Sequence, residues 1–216
     1  MSTTITPVRP SGAAQRPTLS PEDWTRAATE VLVDQGIDHV RVDVLAGQLR
    51  VTRGSFYWHF RDREALLRSV LQTWREQATI QLTERLEKAH EDPREQLKDV
   101  LSLPFRGRAA TRAARIELAI RAWARRDEMA RFAVEEADGA RIGYIAQIFS
   151  ALGFSMKEAR HRAFLLYTYV LGESVMPNLS RMHGTDRTAL IEQLLVQPLR
   201  LPTGSGARSG PLGDDA

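Results

Sequence analysis

The stretch that most constrains this chain is VDVLAGQLRVTRGSFYWHFRDR, residues 42–63. Val42, Leu45, Ala46 and Leu49 recur at helical spacing and give a short first helix one apolar face. Arg50 and Val51 make a turn. Thr52 is placed to cap a second helix over about 53–60, its hydroxyl accepting from an orphan amide. On that second helix Phe56 and Phe60 fall on one side, toward the first helix and whatever precedes it. Gly54, Ser55 and Trp58 fall opposite, with Arg53, Tyr57 and His59 on the flanks. Aromatic side chains turned away from the core on so short a helix make a surface for contact. Two helices so arranged have the layout of a helix-turn-helix whose second helix enters the DNA major groove.

Charge supports that layout locally rather than globally. The 216-residue chain carries a net charge of only +3. Within 50–63, however, Arg50, Arg53, Arg61 and Arg63 face a single acid, Asp62. Phosphate binding needs positive charge concentrated in this way. Other classes are excluded by what the sequence lacks. With no cysteine there is neither a disulfide framework nor a thiolate metal site. Glu158 and His161 have the spacing of half a carboxylate-bundle metal site, but no second such pair exists, so no metal or cofactor is expected. No Gly-rich phosphate loop or nucleophile elbow points to catalysis. No apolar run approaches the roughly 20 residues that span a bilayer, and no secretory leader is visible, so a cytoplasmic protein is expected.

The run RVTRGSFYWHFRDREALL, residues 50–67, resembles the N-terminal DNA-binding segment of the TetR (tetracycline-repressor-like) family. The family's Leu-Gly-Val turn, Ser/Thr, Tyr-x-His-Phe and following basic residue correspond to Leu49-Arg50-Val51, Thr52, Tyr57-Trp58-His59-Phe60 and Arg63. Arg50 stands where the family often has Gly, which strains the turn if φ is positive there. Val42 stands where a capping, phosphate-touching Ser or Thr is common. The resemblance implies that Arg53, Gly54, Ser55 and Tyr57 face the groove, and that Thr52, Tyr57, His59 and Arg63 clamp phosphates. Trp58 is either a sugar-backbone contact or a packing residue at the domain joint. The bland alternative for Arg53 and Arg63 is a solvated surface charge.

The rest of the chain reads as helices, so the expected fold is all-α. A three-helix DNA-binding domain (19–63) joins, through a long helix over about 61–88, a helical ligand-binding and dimerisation domain (64–201). Residues 1–18 and 202–216, rich in Pro, Ser, Thr and Gly, are expected to be disordered. Ser20-Pro21-Glu22-Asp23 signals the start of the first helix, with Ser20 and Asp23 as a capping box, and Gly36 its stop. Later helices are expected over 93–103, 109–126, 128–152, 155–175 and 185–196. The family resemblance implies a homodimer through the last two, about 155–176 and 185–197, reading a palindrome in double-stranded DNA. It also implies a small-molecule effector pocket, for which Trp74, Phe105, Trp123, Phe132, Tyr144 and Tyr167 are candidates, each with plain core as the alternative. Arg121 could hold an acidic ligand, but its spacing from Glu117 favours a helical ion pair. The function expected is therefore a repressing transcriptional regulator. The alternative is a helical ligand-binding or interaction protein whose motif is degenerate.

Overall fold

The computed structural model describes residues 19–176 and 184–197. The two expected disordered tails lie outside the described residues. Among the described residues there are ten α-helices and no strand. None of these helices is long and apolar enough to cross a membrane.

The first helix, α1 (Pro21–Gln35), begins as its sequence dictates. The Ser20 hydroxyl accepts from the Asp23 amide, the Asp23 carboxylate accepts from the Ser20 amide, and Pro21 sits where no amide is needed. It stops at Gly36, whose φ of 85° lets the chain leave the helix. Next come α2 (Val42–Leu49) and α3 (Arg53–Tyr57). The latter is shorter than its expected span, because Trp58 and His59 form a turn in which the amides of His59 and Phe60 both return to the Phe56 carbonyl. Phe56 and Phe60 still point inward together. Their rings stack at 5.6 Å, and Trp24 of α1 meets Phe56 edge-on at 5.3 Å. Burying a side chain such as Phe56 or Leu45 completely stabilises a small domain by roughly 1.5–3 kcal/mol each.

The expected single long helix is interrupted. It runs as α4 (Arg63–Arg75), one π-turn (Glu76–Ile80) and α5 (Gln81–Ala89). After it come α6 (Pro93–Ser102), α7 (Gly107–Ala124), α8 (Glu128–Ala151), α9 (Met156–Val175) and α10 (Gly184–Val196). Asp92, Asp127 and Ser155 cap α6, α8 and α9 with their side chains.

Two apolar cores hold these helices. The first does not stop at residue 63: it runs from Trp24, Leu45 and Phe56 through Leu67 and Trp74 of α4 to Trp123 and Ala130 at the junction of α7 and α8. The second gathers Leu86, Leu97, Leu101, Phe149, Leu166 and Leu195 from α5, α6, α8, α9 and α10. Arg162, almost fully buried on α9, fastens the end of α10 to this second core. It donates to the carbonyls of Leu195 and Gln197, pairs with Glu158, and lies 4.0 Å from the Phe154 ring centroid. Glu158, half of the imperfect metal spacing noted in the sequence, is therefore committed to Arg162.

Candidate nucleic-acid interface

On α3 the side chains divide sharply. Phe56 is fully buried, while Trp58 is 88 % and Tyr57 62 % exposed. Thr52, Arg53 and Gly54 are also exposed, and Ser55 and His59 are half-buried at the edge of the same surface. Trp58 is therefore not buried at a domain joint, the packing role that was one of its two expectations. Thr52 does hold the N-cap position, but its hydroxyl makes no cap hydrogen bond, contrary to the expectation. The turn closes through its backbone instead, with the Ser55 amide donating to the Thr52 carbonyl. The hydroxyl is left exposed beside Gly54, where a Cβ would lie 3.6 Å from it.

Arg63, expected to clamp a phosphate, is exposed and also makes contacts within the protein. Its Nε donates to the Val40 carbonyl at 2.5 Å and one terminal nitrogen to the Ile37 carbonyl at 2.8 Å. The guanidinium ties the start of α4 to the turn that leads into α2, so it positions the motif. Arg50 takes φ 56° and ψ 42°, the left-handed conformation that the sequence made conditional. At the start of α2 the N-cap is Arg41, with Val42 one residue inside. No side chain caps that helix, and Arg41 pairs with Asp43 instead. Arg61 pairs with Asp62, whose carboxylate is held below its usual range, first by accepting from the Ala65 amide and then by Arg61. Arg50 and Arg53 remain as exposed cations with no such partner among the described residues.

Three acids of the same domain are drawn elsewhere. Glu30, Asp34 and Asp38 pair with Arg112, Arg115 and Arg126 across the joint to α7. These exposed pairs contribute only about 0–1 kcal/mol each. Their consequence is electrostatic: negative charge is compensated at the joint, and the free positive charge stands on the α2–α3 side.

Beyond the joint lies a polar cluster. Glu117, buried on α7, accepts from Arg121 at 2.8 Å and from both terminal nitrogens of Arg141 at 3.2 Å. Arg121 also forks onto Asp138 at 3.0 and 2.5 Å. The Tyr167 hydroxyl donates to Asp138 and receives from Arg121 and Arg141. Burial first, and the Asp138 carboxylate further, push the Tyr167 hydroxyl up to about 12 against the pull of Arg141. Two arginines and two acids make the cluster neutral. Arg141 carries it back toward the DNA side, donating to Thr79 in the π-turn at 3.1 Å and lying 5.4 Å from the Trp74 ring centroid.

Above Glu117 and Arg141 opens a cavity of about 320 Å³. Of the seven side chains expected around a ligand, Tyr144 and Tyr167 line it. Trp74 and Trp123 are core, Phe105 and Phe132 are exposed, and Arg121 is spent on Glu117 and Asp138. The lining that the sequence did not single out is largely small or aliphatic, and it includes Leu82, Leu86, Ala110, Ala114 and Val170. One signal was available: AATRAA at 109–114 strips a whole face of α7 down to methyl groups. Arg141 offered none, since its partners lie 24 to 62 residues away.

Residues 25–70 match the family described as bacterial regulatory proteins, tetR family. The chain is 44% identical over 45 residues to the HTH-type transcriptional regulator SrpR of Pseudomonas putida, a match that covers 21% of each protein. It thus spans about a fifth of that relative's length. Over most of the chain the likeness is one of fold. A transcriptional regulator from Rhodococcus sp. Rha1 superposes with a TM-score of 0.65 at 19% identity, covering 82% of this chain and 94% of that one. A putative transcriptional regulator from Saccharomonospora viridis, solved in complex with choline, gives 0.62 at 16% identity, over 81% and 92%.

Proposed function

We propose that this chain, a member of the TetR family by its N-terminal domain, is a homodimeric repressor that binds a palindromic operator and leaves it when a small molecule fills the cavity. The observation that carries the DNA-binding part is the division of side chains on α3. A fully buried Phe56 fixes the helix while Arg53, Tyr57 and Trp58 stand out beside it. Arg53, on the first turn, has the planar fork that pairs with guanine O6 and N7, and Gly54 lets the backbone approach the groove. The exposed Thr52 hydroxyl, Tyr57 and His59 are placed for phosphates, which set register without reading sequence. Trp58 lies along the sugar-phosphate backbone. Arg63 contributes by holding the motif rather than by touching DNA.

Apolar side chains left uncovered on α9 and α10 support a dimer. Phe164 and Leu165 are each 56 % exposed, and Leu190 and Leu194 lie one turn apart on α10, also exposed. Pairing these faces with a second copy removes them from water and sets two motifs roughly 34–36 Å apart, one turn of DNA. The route from effector to DNA is the cluster at the cavity floor. Arg141 touches the cavity through its pair with Glu117 and the π-turn through Thr79, and the π-turn interrupts the helix that starts at the motif. A ligand that shifts Arg141 acts on that helix and so on motif spacing. Such a regulator works by binding alone, without catalysis, and acts in the cytoplasm.

Selection from a pool of random duplexes tests this, run on the wild type and on Arg53→Ala/Tyr57→Ala. An inverted repeat enriched by the wild type and lost in the variant is the expected result. Steep salt dependence with no enriched sequence would mean phosphate contact only, leaving a degenerate motif as the better account.

A further inference from the structure

We infer that the cavity takes a carboxylic acid with an apolar body, its head held by Arg85 and its body laid along the alanine face of α7. This rests on the effector role proposed above and names the class of molecule that fills that role.

Most of the charges around the cavity are already spent on partners within the protein. Four charged residues line it: Arg85, Arg106, Arg141 and Glu117. Glu117 is the single acid among them and has no capacity to spare, since Arg121 and Arg141 both donate to it. A cationic ligand therefore meets no free carboxylate in the lining, and to gain one it must break a buried pair. Arg141 is held by Glu117, Thr79 and Tyr167. Arg106 is held by Asp99 at 2.6 Å and by Ser102. Arg85 differs from both. It lines the cavity, is exposed, and among the described residues makes no hydrogen bond or ion pair. A guanidinium in that state is a planar donor fork matched to a carboxylate.

The walls set the rest of the molecule. Leu82, Leu86, Val100, Ala110, Ala114 and Val170 present only hydrocarbon. The volume, about 320 Å³, lies near the lower end of the roughly 300–1,000 Å³ of small-molecule sites. An unbranched or singly ringed acid fits that space. Arg85 stands at the wet edge, so the head keeps part of its hydration while the body is desolvated.

The test titrates the full chain with octanoate, 1-octanol and octylammonium, which share one body and differ in charge, by calorimetry at low salt. Octanoate should bind saturably and about tenfold more tightly than octanol, the worth of one charge-assisted hydrogen-bonded pair. Octylammonium should bind more weakly than octanol. Arg85→Ala should bring octanoate down to the octanol value and leave octanol unchanged, while Arg85→Lys recovers part of the preference. Octanol or octylammonium binding as well as octanoate would overturn the acid assignment and leave the cavity standing. So would a preference that survives in Arg85→Ala. Failure of all three to bind the folded wild type would remove the effector cavity itself. The same follows if binding is unmoved by Ala113→Phe, a substitution at an exposed lining position that the fold tolerates.

Discussion

Replacing Arg50 by glycine should stabilise this protein, although it deletes a side chain and creates no contact. Arg50 closes α2 with φ 56° and ψ 42°, the left-handed conformation in which the Cβ of an L-residue crowds the following carbonyl. That crowding costs about 1–2 kcal/mol, and glycine is free of it. Against the gain stands the greater freedom of a glycine in the unfolded chain, worth about 0.4–1 kcal/mol. The side chain adds nothing to the balance, since it is exposed and has no hydrogen bond or ion pair among the described residues. The net expectation for Arg50→Gly is about 0.5–1 kcal/mol, which in a chain of this length raises Tm by roughly 1–4 °C. Arg50→Ala is the control. It removes the same charge and keeps the Cβ, so it should leave Tm where it was or slightly lower. Both are measured by thermal unfolding followed through tryptophan fluorescence, at one protein concentration because a dimer's stability depends on it. If Arg50→Ala stabilised as much as Arg50→Gly, charge rather than backbone would be the source and the strain argument would fail. The same pair of variants bears on the motif: any operator affinity lost equally in both belongs to the guanidinium.

Glu117→Leu should cost about 3–5 kcal/mol of unfolding free energy in urea, because it strands Arg141 in the interior without a carboxylate, while Arg121 keeps Asp138. Glu117→Leu combined with Arg141→Met should recover part of that loss, and a double variant worse than the single would contradict the pairing. Tyr144 carries a buried hydroxyl with no partner, pushed up to about 12 first by burial and then by Glu87 and Asp99. Left unpaired, the neutral hydroxyl costs stability at pH 7, and because its pKa is raised, stability that is intact below the unfolded value of 10.0 is lost as pH rises toward 12. Tyr144→Phe should therefore be neutral or stabilising at pH 7 and should lose less stability between pH 10 and 12 in thermal melts. A steeper alkaline loss in the variant would refute this. Leu165→Glu together with Leu194→Glu should convert a dimer to a folded monomer in sedimentation velocity. Unchanged sedimentation would place the interface on another face.

How much of this was legible in the sequence follows from the range over which each feature is decided. The start of α1 and the inward pairing of Phe56 with Phe60 rest on side chains within about four residues of their partners. Composition and spacing alone therefore determined them. Helix boundaries from 93 to 196 came out within a few residues for the same reason, as did the motif, whose residues are nearly contiguous. What the tertiary structure decided were the partners across space. Arg63 read as a phosphate clamp because nothing near it in sequence competes for it; the fold brings the Ile37 and Val40 carbonyls to it from 26 and 23 residues away. Thr52 had the composition of a cap, yet the turn closed through its backbone and left the hydroxyl outside. Of the aromatic candidates only Tyr144 and Tyr167 line the cavity, since large rings mostly fill core space and the opening lies against the alanines of α7. Arg141 and the π-turn it holds depend on α4, α7, α8 and α9 meeting at one point, and no window of sequence contains that meeting.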